Sequence, residues 1–261
     1  MPKLGIIVPD DGPMDYELYR LPDWLTQAAL PIDVAIADAK TPDGKVNDEP
    51  TVNRAYPESA ASDEVLHPCA RALQEAGCRA IVWACTSGSF VGGYHWARRQ
   101  AKRIRAVSGL PTTSTTLALV EATYAFDTQT VDIISTYPAF STDRFSAALA
   151  EAGIRVSEEM SLACNGDDGI AVRANALGQS ALANAIGRLA DSDHPVLIPN
   201  TSVNTLSMIE DLERVTGRTL ITANQASLWH GARLLECAPR ADNAGQLFRL
   251  SEGAQDNMTL H

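Results

Sequence analysis

Residues 81–93 read IVWACTSGSFVGG, an apolar run that ends on Cys85 and passes directly into Thr86, Ser87 and Ser89. A thiol at the end of a strand, followed by the start of a helix, lies among amide dipoles that favour the thiolate, the form that acts as nucleophile or base. The same position also suits a buried apolar cysteine, which is how most unpaired cysteines pack. The hydroxyls tip the balance toward chemistry. Thr86, Ser87 and their backbone N–H groups could cradle a carboxylate or an enolate beside the sulfur, whereas a plain core strand gains nothing from three hydroxyls at its end.

Other reactive residue types read as structural. Cys69, Cys78 and Cys164 lie on helix-like or approach segments and are expected to pack. His230, beside Trp229 on a predicted helix, reads as a satisfied structural histidine. Arg98, Arg99, Lys102, Arg103 and Arg105 form the solvated face of a helix. The five cysteines, Cys237 being the last, are odd in number, form no C-x-x-C pair and have no histidine at ligand spacing, so neither a disulfide framework nor a metal site is expected. No G-x-G-x-x-G and no G-K-[ST] loop occurs, and no cofactor is expected.

The elements that must position Cys85 follow from the pattern around it. Short β-branched runs at 3–9, 32–38, 79–85, 130–136, 194–200 and 218–224 alternate with stretches of helical periodicity such as SDEVLHPCARALQEAG, TDRFSAALAEAG, GQSALANAIGRLAD and TLSMIEDLERVTG. That alternation predicts an α/β fold with mainly parallel sheets flanked by helices. The chain also repeats itself loosely. LGIIVP, AIVWACTSGS and GLPTTSTTLALVEA in the first part are matched in order by VDIISTYP, PVLIPNTSVN and GRTLITANQASLWHG in the second. Two pseudo-symmetric halves are expected, residues 1–115, completed by part of 225–261, and residues 116–224. In such halves ligands collect at the strand carboxyl ends, where helix amino termini and loop amides converge. Pro9-Asp10, Cys85-Thr86-Ser87, Tyr137 and Asn200-Thr201-Ser202 all fall there and would line one cleft if the halves pack face to face.

Two segments stand outside the pattern. The polar stretch 41–62, with three prolines, has the length of a lid, and Arg54 and Tyr56 are its candidate contacts. The polar tail SEGAQDNMTLH is expected to fray or to dock.

The 261 residues carry a formal net charge of -11, which argues against nucleic acid and against an anionic membrane surface as partners. An anionic substrate would have to be held by local donors against that field. No run approaches the roughly 20 apolar residues of a membrane span, and MPKLGIIVPDDG lacks the apolar core of a signal peptide, so a cytoplasmic location is expected.

CTSGSF, STYP, and PNTSVNTL followed by IEDLERVTGRTLITANQASLWHG together resemble the aspartate/glutamate racemase superfamily. The branch they are most similar to is that of arylmalonate decarboxylase and maleate cis-trans isomerase, as are GIIVPDDGPMDYELY and GQLFRLSE. The resemblance implies a cofactor-independent enzyme that takes a small anionic carboxylate between two α/β halves, forms or quenches an enolate with thiols on opposite faces, and self-associates into a homo-oligomer. It makes Cys85 the first thiol, Thr86 and Ser87 the carboxylate grip, and Tyr137 a hydrogen-bond donor to the same anion. Asp10, after Pro9, falls where racemases place an acidic helper and other members Asn or Pro.

The departure is at the second thiol position, which reads Asn200. An amide has no titratable proton in the useful range, so two-thiol racemisation, and protonation by the second thiol after decarboxylation, both lose their proton carrier. What remains is a one-thiol isomerisation of an unsaturated dicarboxylate, or decarboxylation with the proton delivered by Cys85. Two further alternatives are a reduced carboxylate-binding protein and a racemase or lyase in which Asp10 carries the proton. In the first reading Asn200 and Thr201 would help to hold carboxylate oxygens.

Overall fold

A computed structural model describes residues 1–10, 17–40, 61–162 and 170–250, apart from the side chains of 170–172. Arg54, Tyr56, Cys164 and the tail lie outside the described residues, so the expectations placed on them receive no structural account. The described chain builds two four-stranded parallel sheets. In the first, β1 (Lys3–Pro9), β2 (Asp33–Ala39), β3 (Ala80–Trp83) and β4 (Thr112–Ser114) lie in the order 2-1-3-4. In the second, β5 (Thr130–Ser135), β6 (Arg155–Ser161), β7 (Val196–Ile198) and β8 (Leu220–Thr222) lie in the order 6-5-7-8, the same topology. The two-half α/β architecture expected from the alternation is therefore present.

Strand alternation divides each sheet between two cores. Leu4, Ile6, Val8, Ala80 and Val82 share one continuous apolar cluster with Val131, Ile133, Leu197 and Ile221, so a single core joins the two sheets. The opposite parity of the first sheet, Ile7, Ile81 and Trp83, packs with Leu66, Leu73 and Ile104 of α2 (Asp63–Glu75) and α4 (Tyr94–Ser108). In the second sheet Ile134, Val196 and Ile198 pack with Leu182 and Leu212 of α8 (Gln179–Ile186) and α9 (Ile209–Thr216). Period-two alternation between two apolar faces is what makes the strands read as unbroken apolar runs.

Between the sheets, α5 (Thr115–Ala125) and α10 (Ala223–Leu234) pack on one another and on strands of both sheets. Their contact is close because small residues line it: Thr115 Oγ1 lies 3.0 Å from Ser227 Oγ. A Cβ on Gly231 would sit 2.6 Å from Leu4 Cδ2, so this face of α10 must be bare where it meets β1.

Two differences from the expected elements have local causes. The strand predicted over 79–85 ends at Trp83, although Ala84 N–H still donates to the Ile7 carbonyl at 2.8 Å. Cys85 is instead the N-cap of α3 (Thr86–Phe90), in extended conformation with φ -142°. β6 carries no apolar run, since RVSEEMS is an edge strand whose residues alternate between partial burial and exposure. It escapes a reading based on continuous hydrophobicity.

Candidate active site

The carboxyl ends of β1, β3, β5 and β7 each carry residues singled out above. Pro9 closes β1 and is buried, while Asp10 follows in a turn and is half-buried. Extending the β1–β3 register by two residues puts Pro9 beside Cys85, and extending β5–β7 puts Thr136 beside Asn200. Asp10 and Tyr137 stand one residue beyond Pro9 and Thr136. The two sheets thus present equivalent stations.

Cys85 is almost wholly buried, and its Sγ accepts the Gly88 N–H at 3.3 Å, with Ser87 Oγ 3.7 Å away. The close approach requires glycine at 88, since a Cβ there would lie 3.1 Å from Sγ and 3.0 Å from Trp83 Cζ2. The indole of Trp83 therefore floors the loop. The three hydroxyls have separate duties. Ser89 Oγ lies 2.6 Å from Thr116 Oγ1 and donates to the Thr86 carbonyl at 3.0 Å, which makes it a structural tie to α5. Thr86 is fully buried, yet its Oγ1 has no hydrogen-bond partner among the described residues. Such an orphaned hydroxyl is costly unless a ligand or water completes it.

Tyr137 is brought to the Cys85 loop by aromatic packing. Its ring meets Phe90, at the far end of α3, edge-on at 5.8 Å, and Phe90 in turn packs at 5.4 Å on Phe145 of α6 (Ala139–Glu151). The Ser135 hydroxyl accepts the Tyr137 N–H at 3.2 Å and lies 2.7 Å from Thr142 Oγ1, which fixes the backbone at this turn.

Asn200 is buried, and both ends of its amide are engaged. Nδ2 donates to Thr136 Oγ1 at 2.8 Å, and Oδ1 accepts the Ser202 N–H at 2.9 Å. One of its amide hydrogens is therefore committed within the protein. Thr201 is buried beside it, its carbonyl accepting from Asn224 Nδ2 at 2.9 Å.

Glu17 and Asn224 were not picked out from the sequence. Glu17 sits on a 3-10 turn (Glu17–Arg20), with Asn224 Nδ2 donating to Oε1 at 2.6 Å and the Leu206 N–H donating to Oε2 at 3.0 Å. Burial pushes its carboxyl up to about 7 against the pull of those donors. A signal existed in TANQAS, where polar residues open a helix that is otherwise apolar and buried. His230 is structural, with Nδ1 3.0 Å from Thr113 Oγ1 and a pKa pushed down to about 3 by burial, so it is neutral. Among the described residues no group of three or more His, Cys, Asp or Glu could hold a metal ion, and no helix is long and apolar enough to cross a membrane.

Two parallel sheets of identical strand order, each with a polar loop at the end of its third strand, frame the site, and the chain falls in the aspartate/glutamate racemase-like superfamily. Within it the chain belongs to the arylmalonate decarboxylase family, whose model matches residues 54–248. It is 27% identical over 180 residues to the arylmalonate decarboxylase of Bordetella bronchiseptica, covering 69% of this chain and 75% of that one. A maleate isomerase variant from Pseudomonas putida, with a cysteine-to-alanine change and bound maleate, superposes with a TM-score of 0.82 at 19% identity, over 96% of this chain and 98% of the other. A cysteine-to-serine variant of Nocardia farcinica maleate cis-trans isomerase, carrying a covalently bound succinylcysteine intermediate, gives 0.78 at 19% identity, over 96% and 99%. The chain thus belongs to the arylmalonate decarboxylase family, and it shares its fold with these isomerases.

Proposed function

We propose that the chain is a cofactor-independent, one-thiol enzyme that isomerises a small unsaturated dicarboxylate about its double bond. The observation that carries this reading is the asymmetry of the two equivalent stations, a cysteine at 85 and at 200 an amide with no titratable proton, held to Thr136 and Ser202. Addition and elimination need no proton from the second face. The Cys85 thiolate adds to one alkene carbon, forming a C–S bond, and the π pair moves to the neighbouring carbon and into its carboxylate. Rotation about the resulting single bond follows. The pair then returns, the double bond re-forms in the other geometry and the thiolate leaves, so atoms and electrons balance without external acid or base.

The residues suit those steps. Gly88 N–H stabilises negative charge on sulfur. The orphaned Thr86 hydroxyl and Ser87 are assigned to the carboxylate whose charge grows during addition, with Tyr137. Asn200, through its remaining amide hydrogen, and Thr201 hold the second carboxylate, and Pro9 and Asp10 border the thiol. The succinylcysteine in the Nocardia relative supports a covalent route there.

A second reading, favoured by the identity to the Bordetella enzyme, is decarboxylation of a disubstituted malonate with Cys85 delivering the proton. Incubation in deuterated water followed by NMR separates the two. Fumarate formed from maleate without deuterium at carbon supports isomerisation; deuterated monoacid formed from methyl(phenyl)malonate supports the second reading, and turnover of neither removes both substrates.

A further inference from the structure

The two halves hold the loop after their third strand in a similar way, and in the second half Glu17 bridges the two residues that do so. In the first half Thr116, second in α5, places Oγ1 3.4 Å from the Thr86 carbonyl and 2.6 Å from Ser89 Oγ. In the second half Asn224, second in α10, donates to the Thr201 carbonyl at 2.9 Å. The counterpart of Ser89 is Asn204, four residues past Asn200 as Ser89 is four past Cys85. Asn204 and Asn224 are joined through Glu17. The Glu17 N–H donates to Asn204 Oδ1 at 3.0 Å, and its carboxylate accepts from Asn224 Nδ2 at 2.6 Å and from Leu206 N–H at 3.0 Å, with Thr205 N–H as a further donor.

We propose that Glu17 is a positioning residue that, through Asn224, fixes the 200–206 loop and with it Asn200 and Thr201. The proposal rests on the carboxylate site assigned above for its kinetic arm alone.

Among the described residues the side-chain partners of Glu17 are donors, so its ionised form satisfies them. A proton adds an O–H donor to a carboxyl otherwise surrounded by donors, and that O–H needs an acceptor. The side chain already bonded to Glu17 carries such an acceptor, Asn224 Oδ1, which is buried without a partner among the described residues. Using it requires the amide to turn, which withdraws Nδ2 from the Thr201 carbonyl and frees the loop. Burial lifts the carboxyl to about 7, so this exchange falls in the neutral range. Arg20, on the same turn, is the charge that opposes the lift. The 200–208 stretch contributes no titratable side chain, and His230 and Arg233 of α10 lie on later turns than Asn224.

Backbone amide NMR of the full chain from about pH 5.5 to 8.5 tests the latch directly. In the wild type the Leu206 amide shift should titrate with a midpoint near 7, and the Thr201 and Ser202 amides should follow it. In E17Q none should titrate. N224A, which keeps Glu17 and cuts the link, should leave Leu206 titrating while Thr201 and Ser202 stay flat, and it serves if E17Q does not fold. In the kinetic arm E17Q should raise the KM for maleate about tenfold at high pH with kcat within about twofold; maleate affinity from ligand NMR replaces KM if there is no turnover. A Leu206 amide that does not titrate in the wild type, or Thr201 and Ser202 shifts that follow Leu206 in N224A, overturns the latch whatever the substrate. Titration as expected with unchanged maleate affinity in E17Q removes its positioning role instead.

Discussion

Cys85 and Asn200 each stand two residues past the end of the third strand of their sheet, β3 ending at Trp83 and β7 at Ile198. The sulfur accepts the Gly88 N–H, and the amide is tied at both ends, to Thr136 and to Ser202. The fold therefore offers the same station twice and places a thiol at only one of them.

Replacing Cys85, the proposed nucleophile, should abolish the chemistry without unfolding the chain. C85S is expected to lose at least about a thousandfold in kcat, since a serine hydroxyl lacks the thiol's accessible anion. In the wild type Cys85 should alkylate faster at neutral pH than a model thiol, and mass spectrometry of peptide-mapped carbamidomethylation measures it. Equal rates would favour the reading of a reduced carboxylate-binding protein.

Restoring a second thiol should change the reaction's proton traffic. N200C removes the bonds to Thr136 Oγ1 and Ser202 N–H, at a cost of about 1–3 kcal/mol in stability. In exchange it puts a proton carrier at the second station, which the proposed site sets across the substrate from Cys85. Solvent deuterium should then enter the α-position of a 2-aryl carboxylate at a rate that wild type does not match. Identical exchange in both proteins would show that the second station does not face the substrate.

Gly88 is fixed by its neighbours rather than by backbone conformation. In G88A the new methyl meets the Trp83 ring and the sulfur at about contact-breaking range, 3.0 and 3.1 Å. One of them must move. Overpacking of this kind costs about 1–3 kcal/mol, and urea denaturation together with the Cys85 alkylation rate reports both consequences; a variant with wild-type values in both would remove the close approach as a constraint.

A buried ion pair at the other end of the second sheet should be separable from function. Arg218 Nη2 donates to Asp132 Oδ2 at 2.6 Å, with both side chains largely buried and Ser192 bonded to the same oxygen at 3.0 Å. D132N leaves the guanidinium without its counter-charge, which costs about 3 kcal/mol when one partner of a buried pair is removed. Denaturation midpoints should fall while KM stays within error.

Three glutamates, Glu17 and Glu213 buried and Glu121 half-buried, set the sign of the pH dependence. Burial raises Glu17 to about 7 and also raises Glu121 and Glu213. Such a group stays protonated in the fold after its unfolded counterpart, at an ordinary 4.5, has ionised, so unfolding releases protons in that window. Stability from these groups is greatest at acid pH and falls as pH rises toward 7. For Glu17 the shift amounts to on the order of 3 kcal/mol. A thermal melt series should show a negative slope between about pH 5 and 8 that becomes shallower in E17Q. An unchanged slope in E17Q would deny Glu17 its share.

Much of this was legible in the sequence because it depends on local pattern. β-branched runs against helical periodicity gave the α/β class, and the loose repeat gave the two halves, since each half must build the same strand order to bury its own apolar faces. Cys85 and Asn200 could be paired because strand ends are marked by an abrupt change from apolar to small polar residues. β6 was hidden by its edge position, which leaves its residues without a continuous apolar face.

What the tertiary structure alone decided is the division of labour among groups distant in sequence. Ser89 reads like Thr86 and Ser87, yet packing against α5 makes it a tie to Thr116 and leaves the Thr86 hydroxyl without a partner. Glu17 and Asn224 are separated by 207 positions, and no periodicity links them. Their meeting, and the raised pKa that comes with it, depend on burial, which is a property of the assembled core and not of any segment.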